Sequence, residues 1–388
     1  MPTSDREFNF GAGNPDPGVF PAPGLAHAAM RILPRVGSML ARYPDQRGLT
    51  ELREVAIERF ERSHGLRPPL EQVALTNGSM QCLVLAAQGL ARPGSAVIIE
   101  EFSYVGTLRI FRQNGLELVP VPLDGQGMRV DVLDDLLARQ EELGKKPAFI
   151  YTIASCQNPT GTTLPLDRRI RLIDLARKHG VRIVEDDCYA DVSFVPQAVP
   201  ALYKLAEPGE VMYIGSFSKI LGPGVRLGYF IAPEPMASEL LKWKTDGGTS
   251  DLSAMIVAEY FKDSLWGHIE EASAAVKRKR DTLLASLERE FADMDASWTH
   301  PDGGLFLWLR LPEAVDRQRL QELAGEQGII YATGQSFHAL DQDVPYLRLA
   351  FGWIDNDDIP EGIRRLAECV RRAAARRGFP PARAAKAG

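Results

Sequence analysis

A lysine closes a run of small residues, Ser216-Phe217-Ser218-Lys219, and an arginine, Arg226, follows seven positions later behind Gly222-Pro223-Gly224. Apolar runs flank the loop on both sides. A lysine partly withdrawn from water gives up its proton and becomes a nucleophile for an aldehyde. Hydroxyls, backbone N–H groups and a bidentate arginine are what a phosphate takes, and Ser216, Ser218 and Arg226 supply them. Alone, such a lysine reads more readily as an exposed residue in a Gly-rich turn. The loop gains meaning from the other motifs.

Gln157-Asn158-Pro159-Thr160-Gly161 follows an apolar run, and ligands of open α/β sheets bind at the carboxyl ends of strands. Asn158 is placed to donate a hydrogen bond there, although NPTG is also an ordinary turn. Glu185-Asp186-Asp187-Cys188-Tyr189 ends another run. A carboxylate there can pair with a protonated ring nitrogen, and Tyr189 can hydrogen-bond a phenolate oxygen of the same ring. The bland reading is an acidic strand terminus. Thr76-Asn77-Gly78-Ser79-Met80 turns from a strand into a helix, whose free N–H groups favour phosphate. Tyr104 can stack on a planar ring, and Tyr43 lies in a loop before the first predicted helix; both are equally readable as packing residues. Arg348, inside the apolar run Tyr-Leu-Arg-Leu, needs a carboxylate partner, from the protein or from a substrate.

The elements that must hold these residues are legible as alternation. Strand-like runs fall at 73–76, 96–100, 116–121, 148–153, 181–185, 211–215 and 227–232, with helical stretches at 79–91, 104–113, 131–142 and 167–179. Continuous Val/Ile runs joined by helical crossovers predict a mainly parallel sheet covered on both faces. Before it, the Gly/Pro-rich first 24 residues predict an irregular arm, and Thr50 is placed to cap a helix ending at Gly65. After it, helices at 234–263 and 266–292 give way to strands at 305–311 and 346–350 and helices at 316–327 and 357–377, an α+β pattern. The predicted division is an arm at 1–43 that joins the small domain, a large domain at 44–265 and a small domain at 266–388. The basic, Pro/Ala-rich tail from Arg376 is expected to fray.

The chain has 388 residues, a size for two domains, and its net charge of −6 calls for neither nucleic acid nor an anionic membrane as partner. Four cysteines without a CxxC pair, and an amino terminus without an apolar stretch, predict a cytoplasmic protein. No apolar run nears the roughly 20 residues of a membrane span. Gly11-Ala12-Gly13-Asn14-Pro15-Asp16 has Asp where a dinucleotide loop needs Gly, and the histidines show no metal-ligand spacing.

Together the motifs resemble those of fold-type I pyridoxal-phosphate-dependent aminotransferases of class I/II, and most of all the subgroup acting on 2-aminoadipate, aromatic and branched-chain amino acids. The resemblance runs from about Phe8 to Val370. It implies a large domain with a mainly parallel seven-stranded sheet, a smaller α+β domain and pyridoxal phosphate as cofactor. It implies Lys219 as the Schiff-base lysine, Asp186 on the pyridine nitrogen, and Asn158 and Tyr189 on the phenolic oxygen. Tyr104 would stack on the ring. Ser79, the Met80 N–H, Ser216, Ser218 and Arg226 would hold the phosphate, and Tyr43 would reach the phosphate of the neighbouring subunit of a homodimer. Arg348 would clamp the substrate α-carboxylate, beside the backbone of Gly13. Met80, Ala154 and Cys156 depart from the subgroup's usual residues, as does the 243–255 stretch, which lacks its usual Gln.

The function implied is ping-pong transamination between an L-amino acid and a 2-oxo acid. The same scaffold also hosts β- or γ-elimination, oxidation and cyclisation of amino acids. A non-enzymatic regulator would need a DNA-binding domain ahead of the match, which begins near Phe8.

Overall fold

The computed structural model describes residues 6–374; the tail from Arg376 lies outside them. Seven strands form the central sheet: β1 (Val73–Thr76), β2 (Ala96–Glu100), β3 (Glu117–Val121), β4 (Phe149–Thr152), β5 (Arg182–Asp186), β6 (Val211–Ser216) and β7 (Gly228–Ile231). Their spatial order is β1-β7-β6-β5-β4-β2-β3. β7 runs antiparallel to both its neighbours, and the pairs among β2 to β6 are parallel. These strands carry buried residues throughout their central members, because helices cover both faces. Helices α2 (Thr50–His64), α3 (Ser79–Gly89), α4 (Val105–Gln113), α5 (Leu133–Glu142) and α6 (Leu166–Lys178) do the covering. Fold-type I architecture, an α/β large body with a smaller α+β one, is what these elements build.

Three expectations are corrected. The irregular arm gives way at Ala22 to a helix, α1 (Ala22–Val36), because Pro23 falls in the first turn, where its missing N–H costs nothing. Thr50 is the first helical residue of α2 rather than its cap; its side chain makes no capping bond, and Gly65 ends the helix at φ 70° as expected. The two helices read at 234–263 and 266–292 are instead a short helix, Met236–Leu241, and one 40-residue helix, Asp251–Glu290. Gly267 costs this helix only about 1 kcal/mol and no proline interrupts it, so it does not stop. The boundary drawn at 265/266 therefore falls inside a continuous element.

The smaller sheet is antiparallel, with Phe306–Arg310 and Tyr346–Ala350 at its centre. A two-residue strand of the arm, Phe8–Asn9, pairs in parallel with Ile329–Ile330. Among the described residues, no helix is long and apolar enough to cross a membrane.

Candidate active site

The carboxyl ends of β1, β4, β5 and β6 converge on a cavity of about 290 Å³. Gly13, Ser79, Met80, Tyr104, Asn158, Asp186, Tyr189, Ser216, Ser218, Lys219, Arg226 and Arg348 all line it. Every residue to which the resemblance gave a cofactor or substrate role is there except Tyr43. That side chain is 91% exposed and lies beside a different hollow, formed with Ile32, Met39 and Met255.

Lys219 Nζ donates to the Gly13 carbonyl at 2.8 Å and lies 5.6 Å from the centre of the Tyr189 ring. Burial, aided by the nearby Arg348 charge, lowers its pKa to about 8. A cation confined this way sheds its proton near neutrality and can act as a nucleophile or base.

One flank of the cavity is built for an anion. Gly78, at φ 77°, turns the chain into α3, whose first residue is Ser79. Ser218 N–H donates to Ser216 Oγ at 3.1 Å, so the two serines share one tight turn. Arg226 holds a left-handed φ of 54°, unusual for a side-chain-bearing residue, and donates to the Asn77 carbonyl at 2.8 Å. A Cβ on Gly228 would come within 2.6 Å of Gly78 C and Ser79 N, so only glycine lets β7 approach this turn.

Behind the opposite flank, Asp186 is buried, and burial pushes its pKa up. Tyr151 donates to its Oδ2 at 2.9 Å, and Thr107 donates to the Tyr151 hydroxyl at 3.0 Å. Its Oδ1 is buried and accepts no hydrogen bond, and the Cys188 thiol and N–H beside the carboxylate temper the rise. Asp187 points elsewhere, as strand alternation requires. It accepts from the Tyr213 hydroxyl at 3.3 Å and lies 3.4 Å from His64 Nε2.

Arg348 comes from the smaller sheet and Asn158 from the loop after β4. Arg348 Nη1 donates to Asn158 Oδ1 at 3.2 Å, and Asn158 Nδ2 donates to the Tyr189 hydroxyl at 3.4 Å. Arg348 Nη2 donates to the Gly11 carbonyl at 2.6 Å, and the guanidinium lies 4.4 Å from the Phe306 ring centre and 4.8 Å from that of Phe337. Burial lowers its pKa to about 10. Among the described residues no carboxylate pairs with it, and its Nε is buried and unmet. A buried acceptor on Asp186 and a buried donor on Arg348, both without partners, are what a site leaves open for ligand groups.

Sequence reasoning gave no role to Phe306, Ile153, Val105, Asn14, Pro223 or Cys188, which also line the cavity. Tyr151 carried one usable signal: a hydroxyl inside an apolar core strand has to find a partner. Phe306 carried none, since nothing local distinguishes it from a packing phenylalanine.

Residues 6–366 match the family model described as Aminotransferase class I and II. The chain is 34% identical to aromatic-amino-acid aminotransferase 1 of Thermococcus litoralis, over 95% of this chain and 89% of that protein. The crystal structure of a multiple substrate aminotransferase from Thermococcus profundus superposes with a TM-score of 0.90 at 30% identity, covering 96% of this chain and 93% of the other. That of α-aminoadipate aminotransferase from Thermus thermophilus, complexed with N-(5'-phosphopyridoxyl)-L-leucine, gives 0.88 at 33% identity, covering 95% and 93%. A lysine poised to lose its proton, an anion cradle and an unpaired arginine thus stand in a chain matched along nearly its whole length, and the protein belongs to the class I and II aminotransferases.

Proposed function

We propose that the cavity holds pyridoxal phosphate on Lys219 and moves an amino group from an L-amino acid to a 2-oxo acid in ping-pong fashion. The observation that carries this reading is the meeting of Lys219 Nζ, the buried Asp186 Oδ1 and the Arg348 guanidinium in one cavity. When bound, the cofactor supplies an aldehyde for amines and an electron-poor ring that stabilises negative charge at Cα. Asp186 would hold the proton of the ring nitrogen. Asn158 and the Tyr189 hydroxyl would donate to the ring oxygen, and Tyr104 would cover the ring face. Ser79, the Met80 N–H, Ser216, Ser218 and Arg226 would hold the phosphate. Lys219 Nζ would take the Cα proton of the substrate and hold it for return. Arg348 fixes the substrate carboxylate, with the Gly13 backbone beside it.

A half-reaction tests this reading. Wild-type protein loaded with pyridoxal phosphate and given one amino acid alone should accumulate the pyridoxamine form and one equivalent of oxo acid. The relatives' names put aromatic amino acids and α-aminoadipate first in the panel. Formation of an elimination or oxidation product in place of the pyridoxamine form would refute transamination.

Arg348→Lys should weaken every amino-acid substrate by a similar factor, about 1.5–3 kcal/mol, the usual worth of a hydrogen bond to a charged group. Lysine keeps the charge and loses the planar fork. An amine without a carboxylate should be unaffected. An unchanged KM accompanied by a lowered Tm would remove Arg348 from substrate binding.

The protein on this reading is a cytoplasmic homodimer with shared sites. Tyr43 reaches outward beside Met39, which is 48% exposed, an apolar pair on the surface that a second copy would cover. Sedimentation at assay concentration should give a dimer, and Tyr43→Phe should weaken cofactor retention. A fully active monomer would overturn this.

A further inference from the structure

Arg59 belongs to α2, outside the cavity, yet it touches both chain segments that supply the cavity's reactive groups. It is buried, with 4% of its surface exposed. Its Nε donates to Asp191 Oδ2 at 2.9 Å, and Nη2 bonds the same oxygen. Nη2 also donates to the Ser216 carbonyl at 2.9 Å. The guanidinium lies 4.6 Å from the Phe217 ring centre and 5.6 Å from that of Tyr229. Asp191 stands two residues after Tyr189, and its own carbonyl accepts from Ser273 Oγ of the 40-residue helix at 2.8 Å. One planar cation therefore joins the segment of Asp186 and Tyr189 to the turn of Ser216, Ser218 and Lys219.

The arrangement is a costly one for stability alone. Arg59 Nη1 is buried without a partner, and a buried ion pair gains little over well-packed apolar side chains. What it does uniquely is fix a relative position. Holding the Ser216 carbonyl orients the peptide between Ser216 and Phe217, and with it the Ser216 hydroxyl that receives the Ser218 N–H. Holding Asp191 sets the end of the segment that carries Tyr189. We infer that Arg59, acting with Asp191, is a positioning residue that keeps the phosphate turn and Lys219 in register with Asp186 and Tyr189. The inference rests on the cofactor reading above.

The test compares Arg59→Met, Arg59→Lys and Asp191→Asn, each loaded with pyridoxal phosphate, with Arg53→Met as control. Arg53 is buried on the same helix but donates to the Val73 and Leu70 carbonyls, away from the site. Misplacement of reacting groups by a fraction of their spacing costs on the order of 100-fold. In Arg59→Met, kcat should fall by about that factor while KM for the amino acid stays within about twofold, since Arg348 is untouched. The dissociation constant for pyridoxal phosphate, read from the absorbance of the lysine adduct, should rise on the order of tenfold. Arg59→Lys should recover part of both. Arg53→Met should lower Tm and leave kcat and cofactor affinity near wild type. If the Arg59 variants fail to fold, Asp191→Asn decides by the same two readouts. Unchanged kcat and cofactor affinity in variants that only melt earlier, or equal losses in Arg53→Met, would overturn the positioning role. A wild-type protein that binds no cofactor on Lys219 would instead overturn the reading beneath it.

Discussion

Replacement of Lys219 by alanine should abolish covalent attachment of pyridoxal phosphate and cut turnover by about 10²–10⁴-fold, the usual share of a positioned general base. Borohydride treatment of the loaded wild-type protein, followed by peptide mapping, should find the adduct on Lys219 and on no other lysine. An adduct elsewhere would refute the assignment. The lowered pKa adds a second readout. Attachment to the apoprotein should accelerate as pH rises through about 8, not near the ordinary lysine value of 10.5. Between about 8 and 10.5 the unfolded chain holds a proton that the folded chain has lost. The contribution of this group to stability therefore rises with pH across that window. Tm of the apoprotein should show that rise, and Lys219→Ala should lack it.

Asp186→Asn should cost about 100-fold in kcat and leave the fold intact, whereas Asp187→Asn should cost less than about threefold. An opposite charge in contact shifts a partner's pKa by about 1–3 units, each worth 1.36 kcal/mol. An amide at 186 no longer holds the ring proton against loss. Asp186 has an open, buried Oδ1 beside Lys219, while Asp187 is turned toward Tyr213 and His64. His64 Nδ1 accepts from the Ala201 N–H at 3.2 Å, which leaves Nε2 as the ring nitrogen facing Asp187. An asparagine there still offers an oxygen to both neighbours. Steady-state kinetics and Tm on the two variants separate the roles, and comparable kcat losses would remove Asp186 from its place on the ring.

The adjacent pair shows what a sequence conveys and what it withholds. Asp186, Ser216, Thr76 and Asn158 stand at or just beyond the ends of apolar runs, and a strand end is marked by local pattern. The runs at 73–76 and 96–100 coincide with β1 and β2, and the others differ from their strands by a residue or so. Choosing Asp186 over its neighbour needed the family resemblance, because Glu185-Asp186-Asp187 offers three acids to alternation. Arg59 was invisible for a different reason. Its partners are 132 and 157 residues away, and no period in α2 separates a charged residue on a buried face from one in water. The arm helix was hidden by composition, since Pro23 and Gly24 look like breakers until their place in a first turn is known.

The pairing of Phe8–Asn9 with Ile329–Ile330 joins two segments that are made far apart in time. Phe8 and Phe10 are fully buried, and their strand partner is synthesised about 320 residues later. At roughly 5–20 residues per second, the first apolar residues wait tens of seconds before a matching edge emerges. Gly11 and Gly13, whose carbonyls receive Arg348 and Lys219, belong to the same early segment. The last strand of the seven-stranded sheet ends at Ile231, whereas the strand that brings Arg348 begins only at Tyr346. Arg348 is therefore the last of the cavity's side chains to be made, and the cavity around Lys219 cannot be complete before it.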